Sequence, residues 1–223
     1  MGLAHNPKIV TDGLVLCLDA ANPKSYPGTG TTWSDVSKNG NDGTLTNGPT
    51  YSSDNKGNFS FDGVDDYVTL NTFSFDVGNW TLEAISNSNT TYQGIITGGK
   101  FQAGLGYFCL YPNAMLLQNS TATAAIDGSH LDGNFHHLVG TVDRSDNTIK
   151  FYVDGVLKST NTTWDGTTTT SLSVAVGALL RPAISAVVRN HNGEIPLVKI
   201  YNRALTESEI KQNFAATRGR YGI

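Results

Sequence analysis

The sequence predicts an all-β fold, and three observations carry that prediction. Residues 135–142 and 149–153 alternate apolar and polar side chains, which is the period of a strand with one buried face. Asp154 and Gly155 follow directly and supply the positive φ angles of a two-residue hairpin turn. The chain also has 24 glycines and only 15% charged residues, a composition typical of many short strands joined by turns.

Strand-like runs recur along the chain, separated by stretches rich in Gly, Pro, Asn, Ser and Thr. Strands are predicted near residues 14–19, 59–62, 66–70, 80–86, 93–98, 105–111, 114–118, 135–143, 148–153, 172–177 and 195–201. Surface loops are predicted at residues 23–32, 47–49, 52–58, 87–92 and 160–170. The chain of 223 residues is within the size of a single all-β domain.

One helix is predicted at the C-terminal end, over residues of about 206–216. Thr206 and Glu209 have the spacing of a capping box, in which each side chain satisfies a backbone N–H of the other's residue. Ile210 and Phe214 are four residues apart, so they share the helix face that would dock on the sheet.

Four blocks of sequence follow one another in a recognisable order. They are residues 13–20 with 33–45, residues 61–68 (FDGVDDYV), residues 134–157 and residues 198–210 (VKIYNRALTESEI). Together they resemble the laminin-G-like domains of the concanavalin A-like lectin/glucanase superfamily. The resemblance implies a two-sheet antiparallel jelly-roll β-sandwich over residues 13–223, including the short C-terminal helix, after an N-terminal arm over residues 1–12.

One strand departs from the family pattern. Residues 80–84 (WTLEA) begin as the family does, but Ile85, Ser86 and Asn87 follow where the family continues with Trp. We expect this strand to be shorter or less buried than its family counterpart.

Charge and hydropathy exclude two classes of partner. The formal net charge is −4, and Lys and Arg form no patch that could follow a phosphate backbone, so we expect no nucleic-acid partner. No run approaches the roughly 20 apolar residues of a membrane span. Residues 1–8 lack the apolar core and cleavage site of a signal peptide, so we also expect no membrane partner and no secretory leader.

The chain has two cysteines, Cys17 and Cys109, each flanked by apolar strand residues. We expect them to be reduced, buried, small apolar side chains. A disulfide between them would require facing strands, which the sequence does not decide.

The sequence predicts that the protein is not an enzyme. Glycoside hydrolysis needs two carboxyl groups across the scissile bond, and the E-x-D-x-x-E pattern of the sandwich glucanases is absent. His136 and His137 are adjacent, so they point to opposite faces of a strand, and one of them is expected to be a packed core histidine.

The family resemblance implies one calcium ion at the rim of the sandwich. Calcium takes several oxygen ligands, and we assign the site to Asp62 and Asp65. The alternative is that these and the other loop Asx residues only cap turns. The wider set of loop candidates is Asp19, Asp35, Asn39, Asn41 and Asp42.

Carbohydrate binding needs exposed aromatic rings with nearby polar groups. Four aromatic residues lie in predicted loops: Trp33, Tyr51, Tyr92 and Trp164. The alternative for each of them is a lid over the edge of the core.

The two ends of the chain carry a narrower resemblance. Residues 11–26 (TDGLVLCLDAANPKSY) and 210–223 (IKQNFAATRGRYGI) resemble laminin-G-like proteins of tailed bacteriophages. This implies a virion structural protein folded in the host cytoplasm, first a capsid decoration (cement) protein, then a tail-fibre or receptor-binding module. Its partners would be other capsid or tail proteins in a homo-oligomeric or multi-copy assembly, with the N-terminal arm docked on the particle, and a host-surface glycan. A calcium-dependent carbohydrate-binding lectin is the alternative, and a glycoside hydrolase is third.

Overall fold

The computed structural model describes residues 7–73, 78–102, 105–118, 122–128, 130–163, 172–181 and 186–223. In these residues two antiparallel sheets enclose an apolar core, and a helix lies at the C-terminal end. The predicted all-β sandwich with a C-terminal helix is confirmed.

Short strands and turns succeed one another up to the helix. In chain order the strands are β1 (Leu14–Asp19), β2 (Thr32–Trp33), β3 (Gly43–Thr46), β4 (Thr50–Ser52), β5 (Asn58–Asp62), β6 (Tyr67–Phe73), β7 (Trp80–Asn87), β8 (Ile96–Gln102), β9 (Leu105–Tyr111), β10 (Ala114–Gln118), β11 (Ala122–Ile126), β12 (Phe135–Asp143), β13 (Thr148–Val153), β14 (Val156–Asn161), β15 (Leu172–Val176), β16 (Leu179–Arg181), β17 (Ala186–Val188), β18 (Asn192–Ile195) and β19 (Leu197–Tyr201). A 3₁₀ turn covers Asp54–Lys56, and helix α1 covers Glu207–Tyr221.

In the two large sheets, many neighbouring strands are not consecutive in the sequence. The six-stranded sheet runs β1-β19-β7-β12-β13-β14, and the eight-stranded sheet runs β11-β10-β9-β8-β15-β6-β3-β2. Two smaller sheets, β18-β5-β4 and β16-β17, complete the described strands. The first and last strands in the chain, β1 and β19, pair directly, with β1 at one edge of the six-stranded sheet.

Alternation along β12 shows how the sequence pattern builds the core. Leu138 and Val142 are buried in the core between the sheets, while His137 and Val139 face the other side of the six-stranded sheet. Gly140 lies on the core side, where a Cβ atom would collide with Met115 of the opposite sheet. A larger residue at position 140 would therefore displace the Met115 side chain and disturb the packing between the two sheets.

Strand β7 corrects an expectation. It is neither short nor poorly buried: it runs over the full Trp80–Asn87, and every residue before Asn87 is buried. The polar residues of its outer face are tolerated because they are covered and hydrogen-bonded. The Thr81 hydroxyl, for example, donates to the carbonyl of Arg203 at 2.8 Å.

Helix α1 covers the outer face of the six-stranded sheet. The capping box of Thr206 and Glu209 is present as predicted. The helix continues beyond the predicted end near residue 216, because the left-handed residue that stops it is Gly222, with φ 75°. Ile210 is fully buried, whereas Phe214 is half-buried over Gly155.

Part of the predicted N-terminal arm packs on this helix. The Val10 N–H donates to Asn213 Oδ1 at 2.8 Å, and the Tyr201 hydroxyl donates to the Val10 carbonyl at 3.1 Å. Gln212 donates to the carbonyl of Lys8 at 2.7 Å. Residues 1–6 lie outside the described residues.

Cys17 and Cys109 are buried free thiols, in β1 and β9 of different sheets. Burial raises the pKa of each to about 12, so neither is a nucleophile at neutral pH. As for membranes, no helix of the described residues has the length and hydropathy of a bilayer crossing.

Candidate functional site

A polar cleft of about 510 Å³ opens where β7 ends and β12 begins, at one end of the six-stranded sheet. Five separate segments build its wall: the end of β7, the loop at residues 132–134 with the start of β12, the turn after β13, strand β18 and the end of α1. Because these segments are far apart in sequence, only the folded chain brings their side chains together.

His136 lines the cleft and lies between two carboxylates. Its Nδ1 atom is 2.8 Å from Asp154 Oδ2, and its Nε2 atom is 3.2 Å from Asp132 Oδ1. Ionised carboxylates only accept hydrogen bonds, so a ring that bonds to both of them donates from both nitrogens and is the positively charged imidazolium. The hydrogen bond to Asp154 raises the pKa of His136, against the opposing effect of burial.

The carboxylates respond in the opposite direction. Hydrogen bonds from the backbone and side chain of Asn134, and then from His136, lower the pKa of Asp132 to about 2. Burial alone would raise the pKa of Asp154, but the hydrogen bonds from His136 and the His137 N–H lower it. Both carboxyl groups are therefore ionised at neutral pH.

A hairpin turn holds Asp154 in this position. Asp154 and Gly155 have φ angles of 52° and 74°, the left-handed values of the turn that the sequence predicts. The Asp154 N–H donates to the His137 carbonyl at 2.8 Å, and its Oδ1 accepts from the His137 N–H at 2.9 Å. The turn thus fixes a carboxylate beside the start of β12.

A reciprocal pair joins β7 to β18 on another wall. Asn87 Nδ2 donates to Glu194 Oε2 at 2.9 Å, and the Glu194 N–H donates to Asn87 Oδ1 at 2.6 Å. Gly193 has φ 149°, and a Cβ atom there would collide with the Asn87 carbonyl. The glycine therefore allows the close approach that makes the pair possible.

The cleft also has an aromatic side. The rings of Phe135 and Tyr221 are 5.6 Å apart at 46°, with Phe135 partly exposed and Tyr221 nearly buried. An apolar ring beside hydrogen-bonding groups is the general composition of a small-molecule site.

Sequence reasoning did not find this cleft. Asp132 and Glu194 are polar residues in segments of ordinary loop or edge composition, and no local motif distinguishes them. The one usable signal was the Asp154-Gly155 turn next to the strand that starts with Phe135 and His136. Pairing β12 with β13 in register would have placed Asp154 beside the histidines.

The four aromatic residues predicted to bind sugar do not form a common site in the described residues. Trp33 is fully buried with its ring 4.7 Å from Phe59, which removes it as a stacking surface. Tyr51 is half-buried against Tyr26, with ring centroids 4.9 Å apart, as a lid over the core edge would be. Tyr92 is 45% exposed beneath the Arg189 guanidinium. Trp164 lies outside the described residues.

The predicted metal residues form a compact acidic loop, defined as Asp62, Asp65 and Asp66. One carboxylate oxygen of each lies within 4.8 Å of the others. Asp62 Oδ1 accepts the N–H groups of Val64 at 2.8 Å and Asp65 at 3.3 Å. Asp66 Oδ2 accepts the Asp62 N–H at 3.1 Å.

These contacts fit both interpretations of the acidic loop. Backbone hydrogen bonds, first from Val64, lower the pKa of Asp62, whereas burial raises that of Asp66. The bonds at Asp62 and Asp66 are those of carboxylates that cap a turn. The Asp65 carboxylate accepts no hydrogen bond from the described residues, and three carboxylates are also suitable donors for a hard cation such as calcium.

The wider set of acidic candidates lies elsewhere. Asp19 accepts from the Arg220 guanidinium at 2.7 Å, which ties β1 to the end of α1. Asp35 accepts the N–H groups of Cys17 and Ser37 and so closes its own loop. Neither carboxylate joins the acidic loop.

Solved structures share this architecture at low sequence identity. Domain 4 of the extracellular arabinanase AbnA of Geobacillus stearothermophilus, solved with arabinotriose, has a TM-score of 0.64 at 18% identity, over 91% of this chain and 98% of that chain. The ligand binding domain of botulinum neurotoxin serotype D, solved with N-acetylneuraminic acid, has a TM-score of 0.65 at 14% identity, over 92% of this chain and 51% of that one. Trypanosoma rangeli sialidase with sialic acid has a TM-score of 0.66 at 20% identity, over 97% of this chain and 36% of that one.

These identities show a common fold and nothing finer, and this chain spans about half of the toxin domain and about a third of the sialidase. No curated protein is similar enough in sequence to count as a relative. The family model Laminin_G_3, described as the concanavalin A-like lectin/glucanases superfamily, matches residues 61–211, which is more than half of the chain. This chain therefore belongs to the concanavalin A-like lectin/glucanases superfamily, as a laminin-G-type domain.

Proposed function

We propose that the domain is a non-enzymatic glycan-binding module whose ligand occupies the polar cleft. The observation that carries the proposal is the convergence of Asp132, Asp154 and Glu194 with the aromatic side at Phe135 in one opening. Sugar hydroxyls donate to carboxylates, while an aromatic ring accepts the apolar face of a sugar. The volume of about 510 Å³ is within the range of about 300–1,000 Å³ for small-molecule sites.

The protonation states support binding over hydrolysis. A glycosidase needs one carboxyl group protonated at the working pH and a second one ionised. Here the lowered pKa values keep Asp132 and Asp154 both ionised, with the His136 imidazolium between them. Incubation of the chain with the oligosaccharides that it binds should release no reducing sugar.

Structures of the same fold also support a glycan ligand. Domain 4 of the arabinanase, which the match covers to 98%, was solved with arabinotriose, and the botulinum neurotoxin domain, which it covers to 51%, was solved with N-acetylneuraminic acid. These ligands belong to those proteins, and we use them only to choose the class of compound to test.

The test is a titration of the full chain against a panel of neutral, amino and acidic oligosaccharides, followed by calorimetry on each hit. We expect at least one hit, and Asp132→Ala should weaken its binding about tenfold. Glu207→Gln is the control. It removes an acidic group at the first residue of α1, whereas Tyr221, at the other end of the helix, lines the cleft. Absence of binding across the panel, or equal binding by Asp132→Ala, would overturn the proposal.

We also propose, as the biological setting, a virion structural protein, first a capsid decoration protein and then a tail-fibre or receptor-binding module. The two terminal segments that resemble phage proteins support it because they contact each other: Arg220 Nη1 donates to both carboxylate oxygens of Asp19, at 2.7 and 2.8 Å. They could therefore form one docking surface for a capsid or tail protein. Electron microscopy of native particles would show many copies on a shell or a few at a tail, and absence from every particle would reject the proposal.

A further inference from the structure

We propose that the polar cleft selects glycans that present hydroxyl and amino groups, and rejects acidic sugars. This inference depends on the proposed glycan-binding function and adds the charge class of the ligand.

The fixed charges around the opening are predominantly negative. Asp132, Asp154 and Glu194 line the cleft, while His136 is the single cationic side chain among its described lining residues. Three carboxylates against one imidazolium leave an excess of negative charge, which repels a carboxylate on the ligand and attracts an ammonium group.

The positive charge of His136 is not available to an acidic ligand. Both of its ring nitrogens already donate, to Asp154 at 2.8 Å and to Asp132 at 3.2 Å. A sugar carboxylate would have to displace one of these protein carboxylates, which would then be left without its partner.

Several other hydrogen-bond donors of the cleft are also engaged within the protein. Asn87 Nδ2 donates to Glu194, and the N–H groups of Asn134 and Glu194 donate to Asp132 and Asn87. A ligand that adds hydrogen-bond acceptors, such as a sugar carboxylate, therefore competes with these internal contacts for donors.

Acceptors, in contrast, remain on the open side. Asp132 is 51% exposed, and Glu194 Oε1 has no hydrogen-bond partner in the described part of the chain. Each carboxylate group has about four acceptor positions, about two on each oxygen, so these two groups can accept sugar hydroxyls or an ammonium group. The cleft is thus rich in acceptors and poor in donors, which is the complement of a polyol or an amino sugar.

The test uses sets of sugars that share a ring and differ in charge, displayed on one array through the same linker. The sets are glucose, glucosamine and glucuronic acid; galactose, galactosamine and galacturonic acid; and lactose with sialyllactose. For the ring that binds, we expect the acidic member to bind at least about tenfold more weakly than the neutral one, and the amino member more tightly. This order should weaken as salt is raised from 0.05 to about 0.5 M.

Glu194→Gln keeps the shape of the Asn87 pair and removes one negative charge, so it should reduce the preference for the amino sugar severalfold. Glu207→Gln, the same change at the far end of α1, should leave the preference unchanged. Acidic sugars that bind as well as or better than neutral ones would overturn the charge inference and leave the glycan function standing. Failure of every member of every set to bind would overturn the glycan function itself, so the two failures are distinguishable.

Discussion

Two adjacent histidines of β12, His136 and His137, each contact carboxylate groups. The contacts of His136 lie in the open cleft, whereas those of His137 lie in the buried interior. His136 contacts Asp132 and Asp154 in the open cleft. His137 lies on the opposite face of the strand, where Nε2 is 3.0 Å from Glu83 Oε1. Both histidines contact carboxylates, but only the carboxylates around His136 are open to a ligand.

The buried cluster consists of Glu83, His137, Lys199, Asn213 and Tyr201 beneath helix α1. Glu83 Oε1 also accepts from Lys199 Nζ at 2.6 Å, and Glu83 Oε2 accepts from Asn213 Nδ2 at 2.6 Å. The cluster has essentially no exposure to water. Burial alone would raise the pKa of Glu83, but Lys199 and His137 together lower it to about 2.

The difference teaches that burial decides what a histidine–carboxylate pair does. In the buried cluster every contact is internal, so the pair anchors α1 and the Val10 segment to the sheet. In the cleft, water and ligands reach the carboxylates, so the same kind of pair sets the charge of a surface. Substitutions should therefore separate stability from binding.

The largest effect is expected for Glu83→Gln. Removing this charge leaves Lys199 buried without its counter-charge, which typically costs about 3–5 kcal/mol of unfolding free energy. Urea denaturation would measure the loss. Glu194→Gln in the cleft should cost less than about 1 kcal/mol, and equal losses for the two variants would contradict the division into an anchor and a binding site.

A smaller loss is expected for Asn213→Ala, since Asn213 links three partners. Its side chain accepts from the Val10 N–H and donates to Glu83 and to the Tyr201 hydroxyl. Leaving those groups unsatisfied should cost about 1–3 kcal/mol. Hydrogen exchange should show faster opening of α1 and of the Val10 N–H, with glycan binding retained; unchanged protection of α1 would contradict the anchor role.

Acidification should reduce the stability of the native chain more than that of Glu83→Gln, which lacks the carboxyl group that becomes protonated. Because the folded pKa of Glu83 lies below its unfolded value of about 4.3, its contribution is present above pH 4.3 and is lost as pH falls toward 2. Glu83→Gln should therefore have a flatter stability profile between about pH 4.5 and 2 than the native chain. Thermal unfolding across this pH range is the measurement, and parallel profiles would reject the assignment.

Substitutions in the acidic loop should affect stability less than those in the buried cluster, because two of its three carboxylates are exposed. If its carboxylates cap the turn, Asp62→Ala should lower the melting temperature more than Asp65→Ala does, because only Asp62 accepts two N–H groups. In that case EDTA and calcium should leave the melting temperature unchanged. A rise in melting temperature with calcium that Asp65→Ala abolishes would instead establish a calcium site.

The smallest effect concerns the titration of His136. Its pKa is raised chiefly by the hydrogen bond to Asp154, so Asp154→Asn should lower it toward about 6.5. Asp132→Asn should lower it less, since that contact is longer. NMR titration of the imidazole protons would test the order of the two variants, and the reverse order would contradict the geometry.

The sequence by itself determined the local features of this protein. Alternation in residues 135–142 specified a strand, Asp154 and Gly155 specified the hairpin turn, and the spacing of Thr206 and Glu209 specified the start of the helix. Each follows from interactions among residues that are close in the chain. The family blocks extended these local features to the whole sandwich.

Only the tertiary structure decided which polar residues meet. Asn87 and Glu194 are 107 positions apart, and Lys199 and Glu83 are 116 apart. Trp33 is buried in the core and His136 lines the cleft because strand order and register, not composition, determine what covers each side chain. Contacts between segments so distant in sequence are formed by the packing of the sheets, and no local pattern of residues encodes them.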